Sequence, residues 1–136
     1  MKRVFVDTGG FFALLVAEDA NHECARDLFA RGAREHWRLV TTNAVVTETY
    51  ALLLVRTRER RAKAIAFLDG LATSGVRVER VRARDEEQAY RLVRAHRDKA
   101  YSLCDAQSFV VMQRLRVNDA IAFDRHFRDY GGFVVL

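Results

Sequence analysis

Apolar positions along this chain follow two alternating rhythms. Val4, Phe5 and Val6 form an unbroken apolar run closed by Asp7, the pattern of a strand covered on both faces in the middle of a parallel sheet. Thr8, Gly9 and Gly10 then turn the chain into a helical pattern, Phe11, Phe12, Leu14 and Leu15, so Asp7 falls where strand becomes helix. Residues 21–34 carry Cys24, Ala25, Leu28 and Phe29 at helical spacing, and residues 39–41 read as a short strand. Thr42 or Asn43 suits the cap of a helix over residues 44–55. Thr57 suits the cap of another, with Ala64, Ile65, Leu68, Leu71 and Ala72 as its buried stripe and Gly70 and Gly75 punctuating its end.

Val76, Val78 and Val81 alternate with charged residues, as in an edge strand. Asp85 caps a helix with Ala89, Leu92, Val93 and His96 on one face. A helix over residues 102–115, an apolar strand over 120–123, a short helical turn over 124–130 and a last strand over 133–136 complete the pattern. Strands alternating with helices predict an α/β fold, with a central, mainly parallel sheet sandwiched between helices. No repeat, low-complexity linker or proline divides the chain, and 136 residues suffice for one core, so residues 1–136 read as a single domain.

Composition narrows the setting. No apolar run approaches the roughly 20 residues of a membrane span. The chain opens on a strand pattern and carries no signal-peptide signature, which predicts a cytoplasmic protein with no membrane partner. Cys24 and Cys104 share no metal-ligand or redox spacing and read as reduced core thiols. The net charge is +5, and all 23 basic residues except Lys2, Lys63 and Lys99 are arginine. The planar arginine fork suits phosphate, so the balance favours a polyanionic partner, although a G- and C-rich genome inflates arginine everywhere. Clustering is the better signal: Arg56, Arg58, Arg60, Arg61 and Lys63 form the densest run, followed by Arg77, Arg80, Arg82 and Arg84. Each run is either a solvated face or a rim that tracks the phosphates of such a partner.

Four acids stand out. Asp7 and Asp124 each end an apolar strand ahead of a helical pattern, where an Asp also serves as a helix cap. Glu48 lies at helical spacing with Val45, Leu52 and Val55, so it faces inward and needs an ion pair, a proton or a metal. Asp105 follows Ser102 in capping-box spacing yet aligns with Phe109 and Met112 on a core line. A parallel sheet would gather two strand-end acids and two inward helix acids at one rim. Like charges about 4 Å apart cost on the order of a few kcal/mol at an effective dielectric near 20, so such a cluster requires cations. Oxygen-only ligands suit Mg²⁺ or Mn²⁺ rather than Zn²⁺, and two such ions can activate a water and stabilise the leaving oxygen of a phosphodiester.

At these residues the chain resembles the PIN domain, and within it toxin ribonucleases of the virulence-associated protein C (VapC) type. The resemblance runs through VFVDTGGFFALL, VVTETYALL around Glu48, YSLCDAQSFVVM around Asp105 and AIAFDRHFRDYGGFVVL at the end. It implies a three-layer α/β/α sandwich and Asp7, Glu48, Asp105 and Asp124 as metal-binding acids, with Thr8 and Ser102 as supporting hydroxyls. It further implies Mg²⁺- or Mn²⁺-dependent cleavage of RNA, a homodimer, and a small antitoxin that covers the acidic groove. One departure is Ala122, where such sequences often carry Thr or Ser.

His22, His36, His96 and His126 form no zinc motif. His96 reads as a hydrogen-bonded boundary residue, and His126 either packs on the short helix or contacts substrate. Gly9 and Gly10 lack a phosphate-loop lysine and read as turn chemistry close to the site. The rival from another class is a non-catalytic PIN-like module that holds RNA or a protein, and a stand-alone PIN nuclease without an antitoxin is the other alternative. Phosphotransfer on a strand-end Asp would need a lysine partner, and none of the three lysines occupies a strand end.

Overall fold

The computed structural model describes residues 1–136. The elements are β1 (Arg3–Val6), α1 (Thr8–Leu15), α2 (His22–Arg34), β2 (Arg38–Thr42), α3 (Asn43–Arg56), α4 (Arg61–Thr73), β3 (Arg77–Glu79), α5 (Ala83–Ala95), α6 (Leu103–Leu115), β4 (Asp119–Ile121), α7 (His126–Tyr130) and β5 (Val134–Val135). They make a three-layer α/β/α sandwich around a five-stranded sheet of order β3-β2-β1-β4-β5, every pairing parallel. Val4, Phe5 and Val6 lie in its central strand, fully buried, as their unbroken apolar run predicts. One cluster of 21 buried residues forms the core. No helix is long and apolar enough to cross a membrane.

Several expectations shift by a residue or a face. β3 is an edge strand, as its alternation predicts, but only Arg77–Glu79 pair. Thr42 caps α3, its hydroxyl accepting from the Val45 amide at 3.1 Å. Thr57 does not cap α4: its hydroxyl donates back to the Leu53 carbonyl at 2.6 Å and accepts from the Arg60 amide, and the helix starts after Arg60. On α4 the buried residues are Ala64 and Phe67, while Ile65, Leu68 and Ala72 face out. The large Phe67 ring packs edge-on against Phe11 at 5.3 Å and sets which face turns inward. Asp85 sits one turn into α5 rather than at its cap, accepting from the Arg82 amide and from Arg114. Cys24 is exposed, not a core thiol, and both cysteines are free. His96 is the boundary residue expected, its Nδ1 2.9 Å from the Leu92 carbonyl.

Gly10 lies inside α1 rather than in a turn. A Cβ there would meet the Ile121 carbonyl oxygen at 2.8 Å and Val6 at 3.2 Å, so glycine lets the helix seat directly on β4 and β1. This close seating fixes the height at which α1 begins, and Asp7 is the residue immediately before it.

Candidate active site

Asp7 leaves the carboxyl end of β1, the edge at which ligands bind in open parallel sheets. Its amide donates to the Ile121 carbonyl at 3.1 Å, and the Thr41 hydroxyl donates to the Val6 carbonyl at 2.8 Å, so both neighbouring strands hold this strand end. Although Asp7 occupies the N-cap position of α1, its carboxylate makes no capping bond. The residue is only 4% exposed, and its Oδ1 has no hydrogen-bond partner. A buried carboxylate without a partner is costly, which removes helix capping as its explanation. Burial, with added repulsion from Asp105, Glu48 and Asp124, pushes its pKa up to about 8. The Thr8 hydroxyl beside it is likewise buried and unpartnered.

Glu48 projects from the second turn of α3. It does not share the core face, which belongs to Val45, Thr49 and Leu53; Leu52 is half-buried and Val55 is 68% exposed. The helix turns Glu48 toward the strand ends instead, half-buried and in no ion pair. Asp105 satisfies both roles its spacing suggests. Its amide donates to Ser102 Oγ and its Oδ2 accepts from the Ser102 amide, each at 3.0 Å, a closed capping box. The same Oδ2 lies 2.8 Å from His126 Nδ1. Asp124 is not at a strand end, because β4 stops at Ile121. It sits in the turn before α7, where its Oδ1 accepts from the His126 amide at 2.9 Å and lies 3.3 Å from His126 Nδ1.

These side chains line one open cavity of about 300 Å³, bounded by Asp7, Thr8, Gly9, Glu48, Leu52, Ala100, Ser102, Asp105, Asp124 and His126. All four acids and both hydroxyls expected from the sequence line it, and no Lys or Arg does. Four carboxylates, an orphaned Asp7 oxygen and an orphaned Thr8 hydroxyl make an oxygen-rich hollow suited to a hard divalent cation. His126 belongs to this hollow rather than to the packing of α7; the signal available was its place two residues after Asp124. Cys104 is also near, and burial, reinforced by Glu48, Asp7 and Asp105, raises its thiol well above the ordinary range. The basic run lies elsewhere. Arg56, Arg58 and Lys63 line a separate cavity with Val16 and Glu18, and Lys63 Nζ donates to the Leu15 carbonyl at the end of α1 remote from Asp7.

Comparison with known proteins identifies the family to which this fold belongs. The PIN domain family model matches residues 4–132. The chain is 40% identical over 131 residues to the 23S rRNA-specific endonuclease VapC20 of Mycobacterium tuberculosis, covering 96% of this chain and 95% of that protein. The crystal structure of M. tuberculosis VapC20, described as a sarcin-ricin loop cleaving toxin, superposes with a TM-score of 0.89 at 37% identity over 98% of both chains. A toxin-antitoxin complex from Klebsiella pneumoniae shares the fold, with a TM-score of 0.67 at 16% identity over 97% of this chain and 96% of its own. The chain belongs to the PIN domain family and, within it, to the VapC-type endonucleases.

Proposed function

We propose that this chain is a Mg²⁺- or Mn²⁺-dependent endoribonuclease, the toxin of a toxin-antitoxin pair, and that it cuts an exposed loop of 23S rRNA of the kind named for its VapC20 relatives. The observation that carries this reading is the buried Asp7 carboxylate, one oxygen unpartnered, lining a cavity with Glu48, Asp105 and Asp124. Asp7 and Asp105 are the central ligands, and Glu48 and Asp124 complete the set. When bound, the divalent ion supplies charge neutralisation and Lewis-acid activation of water and phosphodiester.

The chain's own contribution is preorganisation. The Ser102 capping box locks the Asp105 rotamer, and β4 and β2 hold the strand end that carries Asp7. The hydroxyls of Thr8 and Ser102 supply neutral polar atoms at the wall. Arg56, Arg58, Arg60 and Arg61 receive the RNA backbone at the far end of α1, roughly 12 Å of helix from Asp7. That is a reach of a few nucleotides. A cationic antitoxin segment covers the acidic hollow, and the toxin works in the cytoplasm as a homodimer.

Cleavage of a 23S rRNA loop fragment by the purified protein tests this reading. Cutting should require Mn²⁺ or Mg²⁺, stop with EDTA and fall at least a hundredfold in Asp7→Asn. RNA binding indifferent to EDTA, with no cleavage at any metal concentration, would make the chain a binding module instead.

A further inference from the structure

We infer that His126 is itself a ligand in the divalent-ion site, giving one ion position a nitrogen donor and biasing it toward Mn²⁺ over Mg²⁺. This rests on the nuclease reading and names a donor which that reading does not assign. His126 Nδ1 lies 2.8 Å from Asp105 Oδ2 and 3.3 Å from Asp124 Oδ1, and the donor atoms of the three residues all fall within 4.8 Å of one another. Neighbouring ligands of an octahedral ion with bonds of about 2.1 Å stand about 3.0 Å apart, close to the 2.8 and 3.3 Å that separate His126 Nδ1 from the two carboxylate oxygens. One ring nitrogen carries at most one hydrogen, so it cannot bond fully to two carboxylates at once. Its place between them suits a shared centre better than a single hydrogen bond.

The ring is held there. The His126 amide is bonded to Asp124 Oδ1, the next residue, Phe127, is fully buried, and the Tyr101 ring stands edge-on to the imidazole at 5.4 Å. An independent observation marks the cavity as a ligand site: the unpartnered Oδ1 of Asp7, a residue only 4% exposed. Nothing else in the lining is basic, so the imidazole is the one nitrogen side chain available. Mg²⁺ takes oxygen ligands and gains little from imidazole, whereas first-row transition ions accept it. The other histidines do not compete, since His22 and His96 bond to the Ala13 and Leu92 carbonyls and His36 is exposed away from the cavity.

The test is pulsed electron paramagnetic resonance of Mn²⁺ bound to the protein, with Mn²⁺ and Mg²⁺ affinities measured in parallel. The parent should show echo modulation from a directly bound ¹⁴N. His126→Gln should lose that modulation and bind Mn²⁺ roughly tenfold more weakly, with Mg²⁺ affinity nearly unchanged. Mn²⁺ bound to the parent without ¹⁴N modulation, or modulation that survives in His126→Gln, would overturn the assignment and leave the nuclease reading standing. Failure of the parent to bind Mn²⁺ at millimolar concentration would overturn both. If His126→Gln does not fold, the parent spectrum alone still decides.

Discussion

Asp7 is a buried carboxyl that the folded chain strongly disfavours in its charged form. Its carboxyl is held neutral to about pH 8 in the metal-free protein, whereas the unfolded chain ionises near 3.8. A folded pKa above the unfolded one means that the folded state binds the extra proton between those values. Its contribution is therefore fully present below about pH 4 and lost as pH rises toward 8. Asp7→Asn removes this penalty, so the metal-free variant should be more stable than the parent at pH 7 by on the order of 4 kcal/mol. The gain should vanish near pH 4, as denaturant titrations at the two pH values will report. This acid was visible in the sequence by its position after an apolar run. His126 stood out only by its place beside Asp124, and the direction of its ring was not legible, because that is set by Tyr101, 25 residues earlier in the chain, and by Asp105 on another helix.

Among the helices and strands, the kind of element was legible from periodicity and the buried face less so. Period alone places Glu48 among core residues, yet α3 packs through Val45, Thr49 and Leu53, which leaves Glu48 at the boundary where a site can use it. The stripe of α4 is displaced for a similar reason, since which apolar residues turn inward depends on Phe11 across the interface. Gly10 is the tightest constraint on how α1 meets the sheet. Gly10→Ala must push against the Ile121 carbonyl, so it should cost about 1–3 kcal/mol in unfolding experiments and lower cleavage by moving Asp7.

Helix α6, which carries Asp105, is anchored at its other end by Arg114. The guanidinium donates to both oxygens of buried Asp85, at 3.0 and 2.8 Å, and to buried Glu79 at 2.8 Å. Hydrogen bonds from Arg114 hold the Glu79 carboxyl below its usual range. Burial opposes the same effect at Asp85, but Arg114 and the Arg82 amide outweigh it. With folded pKa values depressed, this network stabilises above about pH 4.5 and fails as pH falls through the lowered values. Arg114→Met should strand two buried carboxylates and cost about 3 kcal/mol near neutral pH, with the penalty shrinking in acid.

For the molecule as a whole, the fold was legible because βα alternation and an apolar first strand leave few arrangements other than a parallel sheet. What the chain could not reveal was that part of its densest basic run lines a cavity separate from the acidic one. Glu48 and Arg56 lie on the same helix, separated by about 12 Å of rise. Replacing Arg56, Arg58, Arg60 and Arg61 with Ala should weaken RNA binding. It should also flatten the dependence of log affinity on log salt by about 0.7 for each phosphate no longer neutralised on single-stranded RNA. Unchanged affinity and slope would make that run a solvated surface. Whether residues so far apart in sequence form one divalent-cation centre is decided by diffraction from crystals soaked in Mn²⁺. Anomalous difference density should peak within bonding distance of the Asp7 and Asp105 carboxylates, with Glu48 and Asp124 beside it. Full Mn²⁺ occupancy elsewhere on the molecule, with nothing between those two acids, would rule out a shared centre.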